Sequence, residues 1–186
     1  MKKIPSIILA VAITAMLGTV VHSQSATDDL FAAIVKNDIQ KVRYLIPIGA
    51  DVNAKDPYAS MIPLMMAAYD GYTEIAKLLL EKGAEVNAKG GVDMDMTPLI
   101  YAASQDRLDM VKLLIEKGAN VNVKTQYGWT PLFFAARRGR VDIAKLFIDK
   151  GADVNVQLPT GETALSEAEK AGKSDLVKML RQAGAK

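Results

Sequence analysis

Few side chains in this sequence could take part in covalent or metal chemistry. Its 186 residues include no cysteine and one histidine, His22. The commonest general base, the thiolate nucleophile and the usual zinc ligands are therefore scarce or missing. Carboxylates remain. Glu167 and Glu169 stand two apart, which on a helix turns them away from each other. Asp93 and Asp95 follow Gly90-Gly91, but the further oxygen ligands and closing glutamate of a calcium loop are missing. The glycine pair also lacks the strand-to-helix setting of a phosphate loop. No group of residues offers a nucleophile, a base and an orienting partner together. The expectation is a protein that is not an enzyme and holds no metal or cofactor.

Recognition chemistry is better represented. Tyr58, Met61, Tyr69, Met94, Met96, Tyr127, Trp129, Arg137 and Arg138 are of the types enriched at protein interfaces. Rings and thioethers offer apolar area, and each guanidinium offers a fork that matches a carboxylate. Each also has a plainer use. Trp129, in Gly128-Trp129-Thr130, can shield a loop base, and the methionines can fill gaps in a hairpin. Arg137, Arg138 and Arg140 can be a solvated charge run. Which use applies depends on where the fold puts them.

The elements that must position these residues come from a repeat. Gly49-Ala50-Asp51-Val52-Asn53 recurs as Gly83-Ala84-Glu85-Val86-Asn87, Gly118-Ala119-Asn120-Val121-Asn122 and Gly151-Ala152-Asp153-Val154-Asn155, with a truncated Gly184-Ala185 at the end. The glycines are 34, 35, 33 and 33 residues apart. Ile62-Pro63-Leu64, Thr97-Pro98-Leu99, Thr130-Pro131-Leu132 and Thr163-Ala164-Leu165 each precede the next glycine by the same interval, 20 residues from Pro or Ala164. The interval from Asn to the next Pro or Ala164 varies as 10, 11, 9 and 9. The constant portion must be the packed one and the variable portion a surface loop.

The constant portion reads as two short helices. Thr caps the first and Pro takes the position where a missing N–H costs nothing. Ala102 with Ala103, and Ala135 with Ala136, permit close approach, and Gly71 and Gly139 end the helix. Glu74, Asp109, Asp142 and Asp175 suit the start of the second helix, whose apolar run, such as Ile75 to Leu80, closes at the Gly of Gly-Ala.

A helix-turn-helix-loop unit of about 33 residues marked T-P-L and G-A-D-V-N resembles the ankyrin repeat. The resemblance runs from Leu30 to Lys186. It implies an all-α ankyrin-repeat solenoid of stacked helix-turn-helix units with short hairpin loops, in units of about 28–55, 56–89, 90–124, 125–157 and 158–186. The histidine that usually follows T-P-L is here Met65, Ile100, Phe133 and Ser166, so contacts between repeats are expected to be mostly apolar. Terminal units cap such an array. The first begins directly with Leu30 and Phe31, and in the last Ser166, Glu167 and Glu169 stand where the previous repeat has Phe133, Phe134 and Ala136, on a surface that no sixth repeat covers. The family's cupped concave surface is built from loop tips and exposed first-helix ends. That puts Tyr58, Met61, Met94, Met96, Tyr127 and Trp129 at tips and Tyr69, Arg137 and Arg138 at helix ends.

Residues 1–23 read as a secretory signal. Lys2 and Lys3 precede an eleven-residue apolar run, Ile7 to Leu17, with Val21 and Ser23 at a cleavage site. A membrane span takes roughly twenty apolar residues, and this run is shorter and interrupted. Without the two lysines, 21 Lys and Arg face 21 Asp and Glu. That neutrality argues against nucleic acid. The expectation is a periplasmic protein, free of the membrane after cleavage and monomeric when unbound, whose partner is an envelope or secreted enzyme that it inhibits or protects against, as immunity proteins do. Supporting peroxide defence and acting as a host-directed secreted effector are the alternatives that the resemblance leaves open.

Overall fold

The computed structural model describes residues 25–92 and 94–186. The signal segment and Asp93 of the considered calcium loop lie outside them. Among the described residues the chain forms helices in pairs. Residues 25–35 are helical (α1) and pair with α2, Ile39–Leu45. There follow α3 (Pro63–Asp70) with α4 (Thr73–Glu81) and α5 (Pro98–Ser104) with α6 (Leu108–Glu116). Then come α7 (Pro131–Arg137) with α8 (Val141–Asp149) and α9 (Ala164–Lys170) with α10 (Ser174–Gln182).

Local chemistry sets these boundaries. The Thr97 and Thr130 side chains accept from the backbone N–H groups of Ile100 and Phe133, with Pro98 and Pro131 opening the helix. At α9, which lacks proline, Thr163 and Ser166 cap each other reciprocally. Gly71 closes α3 at φ +84°, a conformation that only glycine adopts cheaply. Each loop is then shut into a hairpin by a backbone bond, as Asp56 N–H donates to Met61, Met96 to Gly90, Thr125 to Trp129 and Leu158 to Glu162.

The pairs stack in one direction. First helices α3, α5, α7 and α9 form one row, and α2, α4, α6, α8 and α10 form the other. The first row is the closer packed, because Ala67, Ala68, Ala102, Ala103, Ala135 and Ala136 are buried in it. A tighter first row curves the stack toward that side. The core runs without interruption from Ala26 and Leu30 to Leu176 and Leu180, with Leu79, Leu114 and Phe147 fully buried along it.

Met65, Ile100 and Phe133 are buried, as expected of apolar contacts between repeats, but those contacts are not the whole of it. An asparagine ladder runs along the array. Asn53 Nδ2 donates to the Gly83 carbonyl at 2.9 Å while its Oδ1 accepts from Glu85 N–H at 2.9 Å. Asn87 does the same to Gly118 and Asn120, and Asn122 to Gly151 and Asp153. Asn155 completes the row on Gly184 and Lys186, so the truncated terminal copy receives the last rung. At the other end Thr27 Oγ1 accepts from Asp51 N–H at 3.0 Å. An amide that is both donor and acceptor can bridge two backbone groups of the next unit, a role that does not need the missing histidine.

Candidate protein-binding site

Trp129 is fixed by its loop. Thr125, itself buried, accepts from Trp129 N–H through Oγ1 at 3.1 Å, and its own N–H donates to the Trp129 carbonyl. The half-buried indole stacks on Phe133 at 5.9 Å and meets Phe134 edge-on at 5.3 Å. Tyr127 lies tilted against it at 6.0 Å. The Arg137 guanidinium sits over the indole, 5.5 Å from its centroid, close enough for a cation–π contact. Trp129 and Arg137 together divide two clefts.

The first cleft, of about 460 Å3, is walled by Tyr69, Met94, Met96, Tyr101, Ser104, Gln105, Phe134 and Arg138 besides the dividing pair. Tyr69 and Tyr101 meet edge-on at 6.2 Å. Burial, and then Tyr69, hold the Tyr101 phenol above its ordinary pKa. Its hydroxyl rests against Gly91, where an added Cβ would lie 2.1 Å from it, and Gly91 has φ +91°. A Cβ added at Gly90 would lie 2.3 Å from the Ser60 carbonyl. Packing therefore accounts for the glycine pair.

The second cleft, of about 610 Å3, lies between the loops of the last two units. Tyr127, Phe133, Leu158 and Pro159 supply its apolar surface, and Arg137, Glu162, Glu167 and Lys170 its charges. Glu167 is buried beneath Arg137 Nε at 3.8 Å and Lys170 Nζ at 2.8 Å. The Glu167 hydrogen bond raises the Lys170 pKa above the usual ammonium value.

The structure thus gathers Tyr69, Met94, Met96, Trp129, Arg137 and Arg138 around one cleft and sets Tyr127 beside them on the other. Four expectations are corrected. Met96 is no exposed tip residue, for the Gly90 bridge folds it inward onto Ile100 and Phe134. Met61 packs half-buried on the main core. Tyr58 is 89% exposed at a turn shaped by Asp56 and joins neither Trp129 cleft. Glu167 points inward to two cations rather than to open solvent. Tyr101 and Phe134 were not singled out in the sequence. The signal was a phenol on the apolar stripe of a first helix, one repeat before Phe134.

Stacked helix pairs joined by closed hairpins, with one asparagine rung per unit, decide the family, and the family model for ankyrin repeats (3 copies) matches residues 30–125 and 118–186. The chain belongs to the ankyrin-repeat family. Ankyrin arrays bind other proteins, and the fold is an interaction scaffold. Over part of its length this ankyrin chain is 33% identical to an ankyrin repeat protein of Rickettsia bellii (strain RML369-C), covering 33% of the chain and 35% of that relative. It is 42% identical to protein phosphatase 1 regulatory subunit 27 of Homo sapiens, over 32% of the chain and 38% of the relative. The matches therefore span little more than a third of these relatives. Among the described residues, no cluster of three or more His, Cys, Asp or Glu is arranged to hold a metal.

Proposed function

We propose that this ankyrin protein is an exported binding module of the periplasm that grips an envelope or secreted enzyme and holds it inhibited, in the manner of an immunity protein. The observation that carries the reading is the Trp129–Arg137 pair between two clefts, with Tyr127 half-exposed beside it. Tryptophan and arginine at the centre of a concave surface are the types on which interface energy concentrates. The ladder favours inhibition over loose tethering, because a preorganised surface loses little conformational freedom on binding. The human relative is by its name a regulatory subunit of a phosphatase. Attaching to an enzyme and regulating it is the same kind of role. Export rests on Lys2, Lys3 and the run Ile7 to Leu17, outside the described residues. Among the described ones no helix is long and apolar enough to cross a membrane.

Two measurements test this. Intact mass of the protein from a periplasmic fraction should correspond to a chain beginning at or near Gln24; full-length protein in the membrane fraction contradicts export. Affinity capture from envelope extract with the parent and with Trp129→Ala should differ by one or a few proteins, and the captured enzyme should lose activity on adding the parent. Identical capture by both forms puts the interface elsewhere.

A further inference from the structure

The charge on the two sides of the Trp129–Arg137 divide is unequal. Among the described residues the first cleft has Arg137 and Arg138 in its wall and no carboxylate. Arg138 has no ion pair among the described residues, although its neighbours Arg137 and Arg140 have Glu167 and Asp106. The polar side chains at hand, Ser104 and Gln105, bond to each other and to the Tyr101 carbonyl and neutralise nothing. In the second cleft Arg137 and Lys170 are balanced by Glu162 and Glu167, so what that cleft offers is its apolar surface of Tyr127, Phe133, Leu158 and Pro159.

The plainer account of Arg138 is its place at the end of α7, where a cation suits the helix dipole. That contribution is small and is screened by salt. It does not explain why the side chain borders a cleft walled by two tyrosines, two methionines, a phenylalanine and an indole, with no carboxylate among the described lining residues.

We propose that the two clefts together read one extended segment of a partner protein, with an Asp or Glu seated in the first cleft against Arg138 and a Phe, Leu or Met side chain seated in the second. This rests on the reading of the Trp129 surface as the protein-binding face and adds what that face selects. A carboxylate is the group that the Arg138 guanidinium fork fits, with Arg137 next to it. The indole between the clefts is flanked by Phe133 on one side and Phe134 on the other. The two rings lie 5.9 and 5.3 Å from the indole centroid, so crossing it takes at most about 11 Å, roughly three residues of extended chain at about 3.3 Å each. The acidic residue and the apolar one therefore stand two to four residues apart, of the order of that crossing.

A display library of random twelve-residue peptides, panned against the full chain, tests the proposal. Sequences enriched at least tenfold should carry Asp or Glu two to four residues from Phe, Leu or Met. The same library panned against Arg138→Glu should exchange the acid for Lys or Arg at the same spacing and keep the apolar residue. Circular dichroism of the variant, expected to match the parent, shows that the fold is kept; a misfolded Arg138→Glu is replaced by Arg138→Gln, with which the acid preference should vanish. Enriched peptides without the acid, or with an acid preference that Arg138→Glu does not alter, overturn the proposal, as does the absence of any enriched sequence. If such peptides still lose binding in Trp129→Ala, the face stands as the binding face and only the selectivity fails. If Trp129→Ala leaves their binding unchanged, the face itself is wrong.

Discussion

Replacing Asn87 by Ala removes the rung in the middle of the ladder. Two bonds disappear, one from Nδ2 to the Gly118 carbonyl at 3.1 Å and one from Asn120 N–H to Oδ1 at 2.8 Å. A neutral intramolecular hydrogen bond contributes about 0.5–1.5 kcal/mol net. The rung is exposed, so water reaches the abandoned carbonyl and N–H, and the larger penalty for burying them unpaired does not arise. Asn87 has no positive φ, so alanine adds no backbone strain there. The expected cost is about 1–2 kcal/mol, the lower part of the range for two bonds.

Urea unfolding followed by circular dichroism reads this directly. At a slope of about 2 kcal/mol per molar urea, the midpoint should fall by roughly 0.5–1 M with the slope unchanged. Asn87→Asp keeps the acceptor, loses the donor and sets a carboxylate against the Gly118 carbonyl, so it should be no better than alanine at neutral pH. Asn155→Ala removes the terminal rung to Gly184 and Lys186; it should speed hydrogen exchange at the end of α10 and shift the midpoint less, because in a solenoid each interface couples only neighbours. A midpoint for Asn87→Ala within about 0.2 M of the parent, on that slope less than about 0.5 kcal/mol, means that the ladder follows from helix packing and contributes little to it.

Leu113→Ala and Leu114→Ala should each destabilise by about 2–5 kcal/mol, with Leu114, fully buried, the costlier of the two; a parent-like melt for either contradicts its core placement. Gly91→Ala should lose about 1–3 kcal/mol through its positive φ and the Tyr101 hydroxyl, and Tyr101→Phe should restore part of that loss. A double-mutant cycle with no coupling refutes the contact. The Tyr101 phenol is held above its ordinary value, so the native state keeps that proton more tightly than the unfolded chain does. Its stabilisation is whole below about pH 10 and fades as pH rises through the native value, so denaturation at high pH should show a larger loss in the parent than in Tyr101→Phe. With no cysteine in the chain, a reductant should leave the melting temperature unchanged.

How far the sequence revealed the fold can be followed residue by residue. Thr97-Pro98-Leu99 and Thr130-Pro131-Leu132 place two helix starts, because a threonine cap and an N1 proline act within one turn and need no tertiary context. Gly71 shows a helix end for the same reason. The asparagines of the Gly-Ala motif were equally visible, one per copy, but a rung joins groups some 29 to 33 residues apart. Which carbonyl each amide meets depends on the stacking distance between units. The missing histidine is no guide to this, because the bridging amide belongs to the Gly-Ala motif itself.

The site was less legible because a hairpin has two faces and spacing does not say which one is inward. Met94 and Met96 both border the cleft, yet the bridge from Gly90 to Met96 buries Met96 against Ile100 and Phe134 and leaves Met94 half-buried. Glu167 stands where the previous repeat has a buried phenylalanine. There α9 faces α7 on its inner side, and Arg137 reaches across that interface. The buried carboxylate lies between Lys170 of its own helix at 2.8 Å and Arg137 of the preceding repeat at 3.8 Å. In doing so it fixes one edge of Arg137, the residue that with Trp129 separates the two clefts, so the end cap and the binding surface share a side chain and a change in either alters the other.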